Sequence, residues 1–335
     1  MTSRTRAAAA VLALATGTTL AVAPPAGADE QTYGAVAVAA SAAGSGTYVY
    51  VLAVGADGHV VTAAPLGGKR SSFLSITDVR GTTAVGTRTN GTSDTSDVIT
   101  VDLLTGTVHV VAHSGYAPVL SYNGQRVLYV KQSLSAKPGS QPILRVSVNG
   151  GTPQKVLSPP KGRNFDGLAT AQDGHTVFAT ASTPLQGGSQ ADFARLRPPL
   201  LYRFDVASPH LTKVALKQPL YGVSCGSLVV DLSGAHIALG CNITQGDDPV
   251  VEIVTLKGLA VHRVPRKVGL RSPTAWSPDG QWIDASRSNA TNADPFDLAQ
   301  PFGTAHHKLT GLPSTVLVNS VTLVRPGATL QPLGH

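Results

Sequence analysis

The sequence predicts an all-β fold assembled from a repeated four-stranded unit, and three observations carry that prediction. Of 335 residues only 13% are charged, and just two of the 19 acids are Glu (Glu30 and Glu252), so the Glu/Lys faces of a helical bundle are missing. Short apolar–polar alternations rich in Val, Thr and Tyr favour pleated structure and close on Gly-centred turns. These hairpins recur at a nearly regular spacing through the chain. The composition excludes a coiled coil, a disordered tail protein and a helix-rich α/β enzyme.

Residues 1–28 read as a cleaved signal peptide. Arg4 and Arg6 form a basic n-region, Ala7 to Ala23 is an uncharged apolar run, and Ala26-Gly27-Ala28 is a small-x-small cleavage site before Asp29. Gly17, Thr18, Thr19 and Pro24-Pro25 interrupt the run, which is short for a membrane span. The expectation is a secreted, extracytoplasmic chain with no transmembrane segment after the signal is removed. The mature part keeps 24 basic and 19 acidic residues, an excess too small to indicate nucleic acid as partner.

One set of hairpins turns at Gly81, Gly124, Gly174, Gly234, Gly280 and Gly327: Ile76–Arg88, Pro118–Lys131, Leu168–Ala181, Leu228–Cys241, Pro273–Arg287 and Ser320–Pro332. The turn glycines stand 43, 50, 60, 46 and 47 residues apart, the rhythm of four-stranded blades of about 40–50 residues. Between them lies a second set: Tyr48–Thr62, Val98–Ala112, Ile143–Leu157, Leu200–Ala215, Val250–Val264 and Pro295–Thr310. Two hairpins make one blade. The first set reads as inner strands and the second as outer strands. The mature chain begins with an outer hairpin and ends with an inner one, so the ring closes only when both termini share a blade. The resulting expectation is a six-bladed β-propeller over 47–335, with seven blades as the alternative. Residues 29–46 form a short N-terminal segment in which Gly34–Ser41 can add one strand.

Ala275-Trp276-Ser277-Pro278-Asp279-Gly280-Gln281-Trp282-Ile283 resembles the Trp-Ser-Pro-Asp-Gly repeat of secreted bacterial TolB-like propellers, the WD40-like or PD40 family. Ser121-Tyr122-Asn123-Gly124, Gln172-Asp173-Gly174 and Leu232-Ser233-Gly234 are weaker copies. The motif has a turn mechanism: Pro presets φ, Asp bonds nearby backbone and Gly accepts positive φ. The resemblance implies the fold and is nearly silent on chemistry. TolB carries an α/β domain before its propeller, and 29–46 is too short to hold one, so no partner residues transfer. The hydrolase domain of prolyl-oligopeptidase-type propeller enzymes likewise finds no room.

Cys225 and Cys241 flank a hairpin whose midpoint, residue 233, lies in its turn. That symmetry places them opposite each other and predicts a disulfide, worth up to about 3 kcal/mol for a loop of this length in an oxidising compartment.

Motifs for catalysis are weak. Gly222-Val223-Ser224-Cys225-Gly226 matches the nucleophile elbow, but a strand follows where a helix is required. Leu66-Gly67-Gly68-Lys69-Arg70-Ser71 lacks the first Gly and the Ser/Thr of a phosphate loop. His306-His307, as strand neighbours, point to opposite faces. No metal or other cofactor is called for; Ca²⁺ could at most reach the acidic loops Asn90–Asp97, Asn242–Asp248 and Asn289–Asp297, none of which has a full ligand set. The Asn-x-Thr triplets at Asn90, Asn242 and Asn289 read as loop residues. Trp276 and Trp282 read as packing residues.

The loops between blades carry Lys69, Arg70, Lys161, Arg163, Lys217, Arg266, Lys267 and Arg271 against one acid, Asp166, and the Ser182–Pro199 insertion adds Arg195 and Arg197. Tyr116, Phe165 and Tyr221 lie in the same inter-blade stretches as candidate contacts. Loops also carry charge simply because strands cannot. The favoured expectation is a monomeric, non-catalytic scaffold that binds an extracellular or cell-envelope protein, or an anionic ligand, through this basic rim. The alternative is a propeller enzyme of the metal-dependent lactonase, lyase or glycosidase type, with its site at the channel mouth.

Overall fold

The computed structural model describes residues 32–41, 47–55, 59–70, 73–89, 95–121, 123–133, 137–171, 173–184, 196–242, 249–265, 270–277, 279–287, 296–303, 305–308, 310 and 316–323. The described residues form four-stranded antiparallel sheets arranged as a β-propeller.

β1 (Thr32–Ser41), β2 (Thr47–Gly55) and β3 (Val60–Arg70) pair consecutively at the N-terminal end. Five blades follow, each a contiguous run of four strands. The first comprises β4 (Phe73–Arg80), β5 (Thr83–Thr89), β6 (Asp97–Asp102) and β7 (Val108–Ala112). The second comprises β8 (Gly115–Leu120), β9 (Arg126–Lys131), β10 (Ile143–Ser147) and β11 (Gln154–Leu157). The third comprises β12 (Asn164–Thr170), β13 (Thr176–Ser182), β14 (Leu200–Asp205) and β15 (Thr212–Lys213). The fourth comprises β16 (Ser224–Val230), β17 (His236–Asn242), β18 (Val250–Thr255) and β19 (Ala260–Arg263). The fifth comprises β20 (Leu270–Trp276), β21 (Ile283–Arg287), β22 (Phe296–Ala299) and β23 (His306–Lys308). β24 (Val316–Leu323) then pairs with β1, giving a composite sheet in the order β24-β1-β2-β3.

Five blades therefore come from continuous sequence, and the termini meet in a sheet that no single stretch supplies. Its strand ownership differs from the expected two hairpins. One C-terminal strand joins three N-terminal ones, because β1 occupies the place assigned to the second arm of 320–332. Gly327 lies outside the described residues, and no sheet among them supports a seventh blade. β24 packs between β20 and β4, so the chain ends close a ring of innermost strands.

The five described turn glycines of the inner hairpins adopt φ between 57° and 71°, a left-handed conformation that glycine accepts without strain. Neighbouring sheets pack face to face. Phe178 and Leu201 of the third blade share a core with Leu239 and Val254 of the fourth, and Val49 of β2 packs with Leu74, Ile76 and Ile99 of the first. The backbones come very close where β12 meets β16: a Cβ on Gly167 would lie 2.1 Å from the Gly226 carbonyl oxygen. The innermost strand of every contiguous blade has a register shift near its start, at Ile76/Asp78, Tyr116/Val119, Phe165/Gly167, Cys225/Ser227 and Leu270/Pro273. Such bulges turn individual side chains away from the ladder. They mark the end of each blade at which the chain enters from its predecessor, here called the mouth.

Candidate functional site

The mouth is formed by the loops between blades and by the connections joining the two hairpins of one blade. The opposite end carries the tight hairpin turns. Between them runs a central cavity of about 60 Å³ lined by Thr77, Asp78, Val119, Thr170, Leu228 and Thr274, among others. Asp78 is occupied structurally, since its carboxylate accepts the Val79 and Leu120 amides at 2.9 Å each. Arg80 reaches from the end of β4 to the Ala171 carbonyl at 3.2 Å and so spans the turn end of the channel. Among the described residues no three His, Cys, Asp or Glu side chains gather as a metal site.

The predicted rim residues separate sharply. Lys161 and Arg197 are exposed, as a contact surface requires. Arg163, two residues from Lys161, is 8% exposed and is corrected to a structural role: its Nη1 donates to the carbonyls of Ala181 at 2.9 Å and Pro198 at 3.0 Å. Burial lowers its pKa. Phe165 is likewise corrected from contact to core, with 0% exposure. Tyr116 belongs to β8 rather than a loop, and its hydroxyl donates to the Phe165 carbonyl and lies 3.0 Å from Gln141 Oε1. Burial drives its phenol above the ordinary range. Arg271 stands in the bulge of β20, half-buried. Lys69 and Arg70 end strand β3 instead of forming a loop. Lys217 is exposed, but its amide donates to the Leu259 carbonyl at 2.8 Å, so it runs along the blade edge toward the turn end rather than at the mouth. Arg195, Arg266 and Lys267 lie outside the described residues.

The acidic loops fall mostly outside the description. Asp97, at the end of one, binds Arg88 and His113 at 2.7 Å each, and Asp297, at the end of another, is buried in β22. Ser224 opens an extended strand, which excludes the elbow. His306 and His307 diverge, His306 toward Asp297 and His307 onto the Trp282 ring. Trp276 is buried, whereas Trp282 is only half-buried.

Tyr221 is the predicted aromatic that does reach solvent, at 37% exposure. It sits where the chain leaves the β19 edge and enters β16. The Arg263 guanidinium lies over its ring, 3.7 Å from the centroid. Glu252, 1% exposed, supports both residues: Oε2 accepts the Tyr221 amide at 2.8 Å and Oε1 accepts from Arg263 Nη2 at 3.1 Å and Nε at 3.3 Å. Burial raises the Glu252 pKa, opposed by the Tyr221 amide and by Arg263. Directly behind it, Cys241 Sγ lies 3.9 Å from Glu252 Oε2. Cys241 is bonded to Cys225, its register partner across β16 and β17, as the hairpin symmetry predicts.

Sequence reasoning missed Arg263 and Glu252 as site residues. A legible sign existed: Glu252 interrupts the otherwise apolar Val250–Val254 run and is one of two Glu in the chain. Asp166 was visible only as the lone acid among basic loops. It occupies the β12 bulge, where burial pushes its carboxyl up to about 7 against the Ser182 hydroxyl, Arg163 and the Cys225 amide.

Similarity to solved structures follows this geometry. TolB from Acinetobacter baumannii superposes with a TM-score of 0.61 at 16% identity, covering 88% of this chain and 67% of that one. The fold is that of a TolB-like β-propeller. Putative TolB from Agrobacterium tumefaciens aligns with a TM-score of 0.51 at 11% identity, over 89% of this chain and 99% of the other. A chain of the nidogen/laminin complex aligns at 0.59 and 10% identity, over 88% and 99%. No protein-family model and no curated protein matches the sequence.

Proposed function

We propose that this protein is a secreted, non-catalytic binding scaffold that engages an acidic protein or other anionic ligand through the mouth rim of its propeller. In this reading the composite sheet serves as the closing sixth blade, and cleavage of the leader leaves Asp29 first. The observation that carries the reading is the exposure of Lys161, Arg197 and Tyr221 on mouth segments of adjoining blades. A rigid sandwich of blades presents these loops without paying for their ordering at each encounter. The likeness to TolB propellers supplies the scaffold and no ligand.

The test is binding of a fluorescein-labelled octaglutamate peptide, followed by anisotropy at two salt concentrations. The wild-type protein is expected to bind, more weakly at high salt, and the pair Lys161→Glu with Arg197→Glu to lose binding. Equal binding by the doubly reversed variant, or no binding by wild type, overturns the reading. Export is tested separately by the intact mass of the protein recovered from culture medium, which should begin at Asp29.

A further inference from the structure

Glu252 and Arg263 are register partners within the β18–β19 hairpin, while Tyr221 comes from the separate segment that precedes β16, so only the fold completes the trio. Arg263 is held on two sides. Its Nε and Nη2 edge rests on the buried Glu252 carboxylate, and its central carbon lies over the Tyr221 ring, 3.7 Å from the centroid. The Nη1 atom makes no hydrogen bond among the described residues, while the side chain remains 45% exposed. The outer edge of the guanidinium, with one N–H on Nη1 and one on Nη2, is therefore available to solvent in a fixed orientation.

A fixed, planar pair of parallel donors matches a carboxylate bidentately, and a flexible ammonium does not. Side-chain ordering is a large part of the cost of binding through Arg, and here Glu252 and Tyr221 have already met it. Exposed Tyr and Arg are also the residue types that anchor protein interfaces. The neighbourhood is stiff, because Glu252 packs against the Cys241 end of the disulfide and Tyr221 is tied to Glu252 through its own amide.

We propose that Arg263, stacked on Tyr221, is the carboxylate-reading anchor of the binding surface, with an acidic peptide segment as its partner and Glu252 as a positioning residue. The proposal rests on the scaffold reading above and names its specificity element. Arg263 forms the contact. Glu252 acts through it by holding the guanidinium edge-on.

The experiment uses the same octaglutamate probe with the full mature chain. Arg263→Lys keeps the charge and removes the planar fork. Glu252→Gln removes a negative charge beneath the site, so plain electrostatics predicts tighter binding of an acidic peptide, whereas loss of positioning predicts weaker binding. Arg263→Lys is expected to weaken binding about tenfold and Glu252→Gln several-fold, while Lys155→Gln, on the exposed β11 edge, changes nothing. Wild-type affinity in Arg263→Lys, or tighter binding in Glu252→Gln, overturns the anchor while leaving the rim reading in place if the Lys161/Arg197 reversal still abolishes binding. No binding by wild type overturns both. Should Glu252→Gln fail to fold, Arg263→Lys decides alone.

Discussion

Glu252 and Arg263 face each other in register across β18 and β19, a carboxylate with 1% exposure against a guanidinium 3.1 Å away. The pair joins the floor of a blade to its surface. Removing the cation leaves the acid buried with the Tyr221 amide as its main support. Arg263→Leu should therefore destabilise the protein by about 1–3 kcal/mol, and the double variant Arg263→Leu/Glu252→Leu by less than the sum of the single changes. Urea midpoints of the four proteins in the cycle check this.

The disulfide behind Glu252 closes the inner hairpin of the fourth blade. Replacing both cysteines with Ser should cost up to about 3 kcal/mol in urea unfolding. Adding a dithiol reductant during unfolding should bring the wild type to the same midpoint and leave the double variant unchanged.

Stability should depend on pH with a definite sign. Burial pushes Asp166 up to about 7 and Asp284 up to about 8, from 3.8 in the unfolded chain; Asp297 adds to the effect at Asp284, and a Thr274 hydrogen bond opposes it. Below pH 3.8 both groups are protonated in both states, and their contribution is fully present. As pH rises toward 8 the unfolded chain ionises first, so the contribution is lost. Asp97 acts oppositely: burial raises its pKa, but His113 and Arg88 outweigh that and hold it low, so its contribution is lost as pH falls below about 4. The urea midpoint is expected to decline between about pH 5 and 8. Asp284→Asn should flatten that decline, and an unchanged slope would count against the buried, raised state of this residue.

Gly167 has no room for a side chain, since its Cβ would meet the Gly226 carbonyl oxygen at 2.1 Å. Gly167→Ala should separate β12 from β16 and destabilise by about 1–3 kcal/mol. Gly226→Ala, whose Cβ would stand 3.8 Å from its nearest neighbour, the Asp166 carbonyl oxygen, should cost much less. Thermal unfolding of the two variants side by side makes the comparison.

Arg163 and Lys161 provide a matched test of the surface. Lys161→Gln is expected to leave stability unchanged and weaken octaglutamate binding. Arg163→Gln should strand the Ala181 and Pro198 carbonyls and lower stability by about 1–3 kcal/mol, with binding by the remaining folded protein unchanged. Equilibrium unfolding and anisotropy on the same preparations separate the two effects.

The parts that were legible are those written locally. Strand alternation, the left-handed turn glycines at 81, 124, 174, 234 and 280, and the pairing of Cys225 with Cys241 all depend on residues within a single hairpin. Such features follow from backbone sterics and turn chemistry, which operate over a few residues. Even the meeting of the termini could be inferred, since an unclosed ring would leave a strand edge bare. The division of that sheet into one C-terminal and three N-terminal strands was harder to read, because β1 lacks a turn signal as clear as the others.

The sequence by itself determined the Gly-turned hairpins of a β-propeller and the pairing of Cys225 with Cys241, and it offered the basic and aromatic residues beside the strands as candidate contacts. Only the tertiary structure decided which of those residues meet solvent. Lys161 is exposed and Arg163 is buried, Phe165 is core and Tyr221 is surface, although all four read alike as loop residues beside a strand. The reason is that burial is set where one blade packs on the next, by contacts far apart in the chain. The same packing brings Tyr221 onto the Glu252–Arg263 pair of the β18–β19 hairpin, a site complete only once the segment before β16 folds against that hairpin.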